Sequence, residues 1–152
     1  AVAVLLEKGF RPEDFARLHP GGALGRRLLT RVQDVMERND LPVLQRDAIM
    51  RDAVVLLAKR RGLAIVTEQE RVLGVVTAGD LTRLMQREAD VLSEPVANVM
   101  STSPRVAYDQ ELGSAVVHRM ETHGIMAMPV LDSHERLVGV VHLHDLLRAG
   151  AA

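Results

Sequence analysis

The sequence predicts a mixed α/β (α+β) protein in which two copies of one small β-α-β-β-α unit pack pseudo-symmetrically behind an N-terminal helical lead-in. The main observation is an internal repeat, because residues 70–81 read ERVLGVVTAGDL and residues 135–146 read ERLVGVVHLHDL. A second match lies upstream, where VQDVM at 32–36 is similar to VANVM at 96–100. A spacing of about sixty residues is too long for the repeat of a solenoid, and it indicates two stacked copies.

Each copy has the same predicted order of elements. In the first, a strand near Val43 leads to an N-cap at Asp47 and to a helix with apolar residues at a period of 3.6. In the second, Asp109 is the corresponding N-cap. The later strands are continuous Val and Leu runs, which predicts burial on both faces. The predicted segments are helix 48–61, strands 64–67 and 72–76 and helix 78–87, then strand 105–107, helix 110–122, strands 128–131 and 137–141, and helix 144–148.

The first thirty residues differ from the rest. We expect a helix at 1–8 and a short helix opened by Pro12 and ended before Pro20. The glycines at 21–25 fit neither a P-loop nor a dinucleotide fingerprint, so this stretch is predicted to be a flexible connection. Because the chain starts without Met inside an apolar helical pattern, we interpret it as a fragment. The expected organisation is the tail and linker of a missing domain at 1–30, a first unit at 31–92 and a second at 93–152.

Composition excludes several classes of function. The 152 residues carry a net charge of -1 and are 47% hydrophobic but only 2% aromatic, which argues against a nucleic-acid partner bound by stacked rings. The absence of cysteine excludes disulfides and thiolate metal sites. No apolar run approaches a membrane span, and no basic-flanked signal peptide is present. We therefore expect a cytoplasmic protein without a membrane partner.

Residues 74–80, Gly-Val-Val-Thr-Ala-Gly-Asp, carry a recognisable pattern. A β-α-β-β-α unit whose third strand ends in Gly, two apolar residues, Ser or Thr, two variable residues and Asp resembles the cystathionine-β-synthase (CBS) domain. The resemblance covers residues 32–148. It implies a pair of domains that binds adenosine nucleotides and related ligands in the cleft between them. The second copy departs from the pattern, because His142 stands where Ser or Thr is expected.

Two further stretches resemble arabinose-5-phosphate isomerases. They are DFARLHPGGALGRRLL at 14–29, followed by RVQDVM at 31–36, and HLHDLLRAG at 142–150. The resemblance implies a preceding sugar isomerase (SIS) domain that interconverts ribulose 5-phosphate and arabinose 5-phosphate for Kdo and lipopolysaccharide biosynthesis. It also implies that His19 contributes to that aldose-ketose isomerase site. The fragment alone is then not an enzyme, and the resemblance implies a homodimer, with a tetramer for the full-length protein.

Thr77 and Asp80 have two interpretations. Thr-x-x-Asp before an apolar helix approximates a capping box, which is a purely structural role. Alternatively, Asp80 accepts hydrogen bonds from ribose hydroxyls, while Thr77 and the helix N-terminus contact a phosphate. The second copy keeps the acid as Asp145 without a Ser or Thr cap, which favours a role beyond capping. We expect Asp80 and Asp145 to face one shared cleft.

His142 and His144 follow a strand, and alternation would place both rings on one side. They either contact an anionic ligand or make ordinary hydrogen bonds, and a metal would lack an evident third ligand. Met126 and Met128 belong either to the core or to the wall of a nucleobase pocket. The basic run at 59–61 is expected to be a solvated helix end. The expected ligand-binding residues are Thr77, Asp80, Ala64, Ile65, Met126, Met128, His142, His144 and Asp145, with no metal.

Two functions remain open. The first is regulatory binding of a nucleotide-type effector, with no cofactor required. CMP-Kdo, the pathway's end product, offers ribose hydroxyls and a carboxylate, while AMP or ATP is the general expectation for such pairs. The second is purely architectural, with the apolar face formed by Ala115, Val116 and Met120 holding a homodimer together.

Overall fold

A computed structural model describes residues 22–151, and it confirms a mixed α/β fold with the order β-α-β-β-α in both units. Helix α1 (Ala23–Leu29) precedes them. The first unit contains β1 (Val43–Gln45), α2 (Met50–Lys59), β2 (Leu63–Glu68), β3 (Arg71–Thr77) and α3 (Ala78–Arg87). The second contains β4 (Ala107–Tyr108), α4 (Gly113–His123), β5 (Ala127–Leu131), β6 (Leu137–His142) and α5 (Leu143–Arg148). A turn of 3-10 helix precedes each unit, at Val32–Asp34 and Val96–Asn98.

Each unit is built on a three-stranded sheet. In the first, β1 pairs in parallel with β2, and β2 pairs antiparallel with β3; in the second, β4, β5 and β6 repeat this topology. The pairing shifts register after Val66 in one sheet and after Val130 in the other. The duplication seen in the sequence therefore extends to the irregularities of the backbone.

The central strand β2 is buried on both faces, as its apolar sequence predicted. One face carries Ala64 and Val66, which pack in the core of the first unit. The other face carries Leu63 and Ile65, which pack with Val140 of the second unit in a core shared by both sheets. Because burying such aliphatic side chains is the main favourable term in folding, the two sheets are held face to face.

The two units also exchange short segments. Val32 and Met36, which precede β1 in sequence, lie in the core of the second unit. Val96, which precedes the second unit, lies in the core of the first. The backbones cross beside the sheets, where Glu37 N donates to Val140 O at 2.8 Å and Val140 N to Glu37 O at 3.0 Å. Boundaries at 31–92 and 93–152 therefore divide the sequence, but each core draws on both ranges.

Three predicted starting points were wrong. Helices α2 and α4 begin after Ile49 and Leu112, and not after Asp47 and Asp109. Strand β4 begins at Ala107, whereas residue 105 was expected. The two aspartates lie in turns between strand and helix, so their carboxylates are too early in the chain to cap the first helical turn.

The exchanged segments explain why the caps were misplaced. The first N–H groups of α2 are satisfied by backbone carbonyls of the segment that connects the two units. Met50 N donates to Glu94 O at 2.8 Å, and Arg51 N donates to Leu92 O at 3.0 Å. Free N–H groups at a helix start need acceptors, but the acceptor need not be a nearby side chain. Here it comes from more than forty residues away, which a local cap signal cannot reveal.

The predicted flexible connection at 21–25 was also wrong where the structure describes it. Residues 23–29 form helix α1, and Gly25 is buried within it. Gly113 lies against this end of the molecule, with its N–H bonded to Thr30 O at 2.8 Å. Tertiary packing thus overrides the low helix propensity of glycine. The predicted helices at 1–8 and after Pro12, together with His19, lie outside the described residues.

Among residues 22–151, no helix has both the length and the apolar content needed to cross a lipid bilayer.

The segment exchange predicts an unusual sensitivity at two equivalent glycines. A Cβ at Gly139 would lie 2.7 Å from Glu37 O and 2.8 Å from Met36 Sδ, and one at Gly74 would lie 2.6 Å from Ser101 O. We expect Gly139→Ala and Gly74→Ala each to lower the free energy of unfolding by about 2 kcal/mol, as overpacking against backbone does. Urea denaturation measures this effect.

The matched control is Gly79→Ala in α3, where the new Cβ would meet no backbone atom but only side-chain ends, Arg83 Nη1 at 3.4 Å and Thr77 Oγ1 at 3.6 Å. Alanine is favoured over glycine in a helix, so this variant should lose no stability. Equal stability of all three variants would contradict the close crossing of the segments.

Candidate functional site

Two equivalent corners carry the predicted acids. In the first unit, β3 ends at Thr77, and Asp80 is the third residue of α3. In the second, β6 ends at His142, and Asp145 is the third residue of α5. Both corners arise because an apolar strand runs directly into a helix, which leaves the first helical N–H groups and the following acid at the strand end.

At the first corner the capping interpretation is realised. Asp80 Oδ2 accepts hydrogen bonds from Thr77 N at 2.8 Å and from Thr77 Oγ1 at 3.1 Å. Its other oxygen, Oδ1, is paired with Arg83 one turn later in the same helix. The side chain is only 7% exposed. Both carboxylate oxygens are therefore engaged by groups of the first unit itself.

At the second corner the acid is held across the interface between the units. Arg61 Nη1 donates to Asp145 Oδ2 at 2.8 Å, and Nη2 to Oδ1 at 3.4 Å. The hydrogen bonds from this guanidinium hold the pKa of Asp145 below its usual value, so the carboxylate is ionised at neutral pH. Arg61 lies in the turn after α2 with φ at 59°, next to Gly62 at 84°. Arg61 is exposed beyond the end of α2, as expected for residues 59–61, but it also forms this ion pair across the interface, which was not expected.

His142 is buried beside this ion pair, with its side chain 5% exposed. Its Nε2 lies 3.7 Å from Glu37 Oε2, and Glu37 also lies 3.6 Å from Arg61 Nη1. Burial, followed by the positive charge of Arg61, lowers the pKa of His142, while Glu37 and Asp145 act in the opposite direction. Where the first corner has a small hydroxyl, the second therefore has a neutral imidazole among charged neighbours.

The two histidines do not share a side of the strand, so that prediction was wrong. Strand β6 ends at His142, and His144 is already in α5, where the alternation of strand side chains no longer applies. His144 is exposed, and its Nε2 lies 2.7 Å from Arg148 Nη2. In the described part of the chain, no three His, Cys, Asp or Glu side chains cluster as metal ligands would.

A cavity of about 430 Å³ opens between the units beside these corners. Three stretches form it: the turn after α2, the N-terminus of α3, and the segment leading into β5. Small residues at the start of α3 leave its backbone N–H groups accessible, and this helix end attracts anions. The segment before β5 supplies an apolar wall. The lining residues are Arg61, Gly62, Leu63, Thr77, Ala78, Gly79, Gly124, Ile125, Met126 and Ala127.

Only two of the predicted ligand residues line this cavity, namely Thr77 and Met126. Met126 is 64% exposed and projects at the mouth of the apolar wall. Three others have no exposed surface and belong to the cores: Ala64, Ile65 and Met128. Sequence reasoning missed Arg61 and Glu37, although Arg61 stands before Gly62 where the second copy has His123 before Gly124.

The two acids do not line one shared cavity, contrary to expectation. Asp80 borders a separate depression of about 370 Å³, together with Arg83 and Arg87. Asp145 is linked to the central cavity through Arg61, which both lines the cavity and binds the carboxylate. The near-identical corners have therefore become two different environments, and only the second one is linked to the central cavity by an ion pair.

Comparisons with known proteins agree with this fold. A family model described as the CBS domain matches residues 32–87 and 96–152. The arabinose 5-phosphate isomerase KdsD of Yersinia pestis is 39% identical over 153 residues, and that of Escherichia coli K12 is 38% identical. Each alignment covers 99% of this chain and 46% of the relative. The chain thus spans about half the length of the curated relatives it matches.

Two solved structures are similar over most of the chain. The CBS domain protein PAE2072 from Pyrobaculum aerophilum, complexed with AMP, has a TM-score of 0.69 and 26% identity over 81% of this chain and 100% of that one. The CBS domain pair of protein MJ0100, in complex with 5'-methylthioadenosine and S-adenosyl-L-methionine, has a TM-score of 0.68 over 78% of this chain and 98% of that one. At 20% identity, the second likeness shows the fold alone.

The burial of His142 predicts a pH-dependent stability. Because the folded-state pKa is lowered from about 6.5, the unfolded chain binds the extra proton first. The free energy of unfolding therefore has its full value with respect to this group above about pH 6.5, and it falls as the pH drops below that value. We expect His142→Thr, which restores the first unit's residue, to flatten the slope of unfolding free energy against pH between 5 and 7. Urea denaturation at each pH measures that slope.

The control is His144→Thr, because His144 is exposed and is not one of the charged groups that act on His142. Those groups are Arg61, Glu37 and Asp145. This variant should keep the wild-type slope. An unchanged slope in His142→Thr would show that the imidazole does not titrate differently on unfolding.

Proposed function

The chain belongs to the CBS domain family, and we propose that its two units form a regulatory site that binds a nucleotide-type effector in the cleft between them. The observation that carries the proposal is the cavity of about 430 Å³, whose lining comes from both units. A site shared by two units can report occupancy, because a ligand there contacts two bodies at once. The volume lies in the ordinary range for small-molecule sites.

The chemistry of the lining favours an anionic ligand with an apolar part. The guanidinium of Arg61 and the N-terminal N–H groups of α3, at Ala78 and Gly79, attract negative charge at one side. Met126 and Ile125 provide an apolar surface at the other. Methionine is a flexible and polarisable side chain that packs well against flat rings. A nucleotide combines a phosphate, a sugar and a flat base, so it matches this division.

We propose that the whole protein is an arabinose-5-phosphate isomerase. This enzyme would interconvert ribulose 5-phosphate and arabinose 5-phosphate in the cytoplasm. The support is the similarity to KdsD enzymes along 99% of this chain. In this proposal, residues 1–30 are the tail and linker of a preceding sugar isomerase domain, and His19 contributes to its active site. The paired units then regulate that domain in Kdo and lipopolysaccharide biosynthesis.

Three effectors are candidates for the cavity. CMP-Kdo, the product of the same pathway, carries a ribose, a phosphate and a carboxylate, and it would bring feedback control. AMP is supported by the similar Pyrobaculum aerophilum protein, which was crystallised with AMP. ATP has the same base and ribose with more negative charge. No cofactor is required by this proposal.

Calorimetric titration of the chain with CMP-Kdo, AMP and ATP tests the proposal, and we expect saturable binding of at least one. Met126→Glu should weaken that binding about tenfold, because it removes apolar surface on which the base would pack and adds a negative charge to a cavity that receives an anionic ligand. The matched control is Met85→Glu, since Met85 is 63% exposed but lies outside the cavity. Absence of heat with all three ligands would remove the effector function.

The alternative function is architectural, with the pair serving only to dimerise the isomerase. The face predicted for this contact was wrong, because Val116 and Met120 have no exposed surface and pack in the core of the second unit. Other apolar side chains are exposed on the first unit's helices, namely Val55 at 46% on α2 and Met85 at 63% on α3. These positions are the observation that favours an association surface.

Sedimentation analysis tests the architectural alternative. If the surface is used, the chain is a homodimer at micromolar concentration, and Met85→Glu shifts it to a monomer because a charge enters the apolar contact. Met126→Glu is the control with equal exposure and should leave the mass unchanged. A wild-type monomer would contradict assembly through this chain, including the tetramer proposed for the full-length protein.

A further inference from the structure

Arg61 occupies a position that no other described side chain shares, because it lines the inter-unit cavity and also binds the acid of the opposite unit. Its guanidinium donates to both oxygens of Asp145, at 2.8 and 3.4 Å, although the two residues lie 84 positions apart. Glu37 Oε1 lies 3.6 Å from Nη1 of the same guanidinium. The charge of Arg61 is therefore shared between carboxylates of the protein and the open cavity.

The first corner offers no such arrangement. Asp80 is bound by Thr77 and by Arg83, and both belong to its own unit. Thr77 also lines the central cavity, but it is uncharged and its bonds to Asp80 stay within one unit. Of the two corners, only the second links its carboxylate to the cavity through a charged side chain of the opposite unit.

The donor and acceptor inventory decides which ligands can use this corner. An ionised carboxylate only accepts hydrogen bonds, and a guanidinium only donates them. A ligand that brings hydroxyl groups to Asp145 must first separate it from Arg61. A ligand that also brings an anion gives Arg61 a new partner, so no guanidinium is left without a close counter-charge.

We infer that Arg61 is a specificity-determining residue, which restricts the second half-site to ligands that carry an anionic group beside vicinal hydroxyls. This inference rests on the proposed effector function. In the bound state the ligand's anion accepts from Arg61, and the released Asp145 accepts from the hydroxyls. Glu37 keeps the guanidinium at the cavity wall during the exchange. Uncharged nucleosides are disfavoured because they break the ion pair without replacing it.

The exchange is energetically feasible. Arg61 and Asp145 have side chains that are 42% and 24% exposed, so water screens their attraction. Pairs this accessible contribute little to stability. A hydrogen bond from Arg61 to a ligand phosphate is charge-assisted in the same way, and the N-terminus of α3, which lines the same cavity, also favours negative charge. The ion pair between Arg61 and Asp145 is thus weak enough for an anionic ligand to replace it, but strong enough to disfavour ligands that break it without offering an anion.

The experiment compares the affinities of AMP and adenosine, which differ only in the phosphate. Wild type should prefer AMP strongly. Arg61→Gln should weaken AMP about tenfold and leave adenosine equal or better bound, since Asp145 is then free. Arg83→Gln is the matched control, because it removes the guanidinium from the other strand-end acid, and it should keep the wild-type preference.

Asp145→Asn provides a second readout that does not depend on loss of the arginine. It should weaken adenosine, which loses a hydroxyl acceptor, and strengthen inorganic phosphate, because Arg61 loses a competing carboxylate. An unchanged AMP-to-adenosine ratio in Arg61→Gln, with AMP still bound, overturns this inference and leaves the effector function intact. Failure of wild type and all variants to bind AMP or adenosine, with CMP-Kdo and ATP also inactive, overturns both.

Discussion

The constraint on which the rest of the structure depends is that neither unit can complete its core alone. Val32 and Met36 fill the second unit, Val96 fills the first, and Ile65 packs with Val140 where the sheets meet. Separating the units would expose all of these aliphatic surfaces and break the backbone bonds between Glu37 and Val140. Because interiors are close-packed and resist small deformations, the two units keep a fixed relation to each other. The cleft between them is consequently a built feature of the fold, and side chains from opposite units meet there at hydrogen-bonding distance.

Duplication produced two equivalent corners, but their chemistry has diverged. The strand-end residue is Thr77 in one and His142 in the other, and the residue before the positive-φ glycine is Arg61 in one and His123 in the other. At the first corner Asp80 accepts hydrogen bonds from Thr77 N at 2.8 Å and from the Thr77 hydroxyl at 3.1 Å. At the second corner the buried imidazole of His142 makes no such bond to Asp145, and Asp145 is instead bound by Arg61 of the other unit. Residues that differ between the two copies thus accompany a change from a self-contained cap to a contact between units, and the symmetric fold presents an asymmetric site.

Features that depend on local sequence pattern were predicted correctly, whereas features that depend on contacts between distant segments were not. The repeat and the apolar strands give the β-α-β-β-α order correctly, and α3 runs over the predicted 78–87 because both its start and its cap are local. The start of α2 was misplaced because its first N–H groups bond to carbonyls of Glu94 and Leu92, which no cap signal encodes. Ala64 and Ile65 were expected at the ligand, but alternation along β2 turns one into each core. Arg61 was missed for the same reason, since its importance comes from a partner 84 residues away.

A regulatory module needs a rigid core and, beside it, interactions that a ligand can replace. The shared aliphatic core supplies the frame, since its burial is non-directional and is insensitive to the charge of a ligand. The cluster of Arg61, Asp145, Glu37 and His142 supplies the responsive part, because its interactions are directional, partly solvated and open to competition by an incoming anion. A ligand that shifts an equilibrium must bind its two states with different affinities. In the function we propose, that difference is concentrated at the ion pair of Arg61 and Asp145, so chemical selectivity and response arise from the same contact.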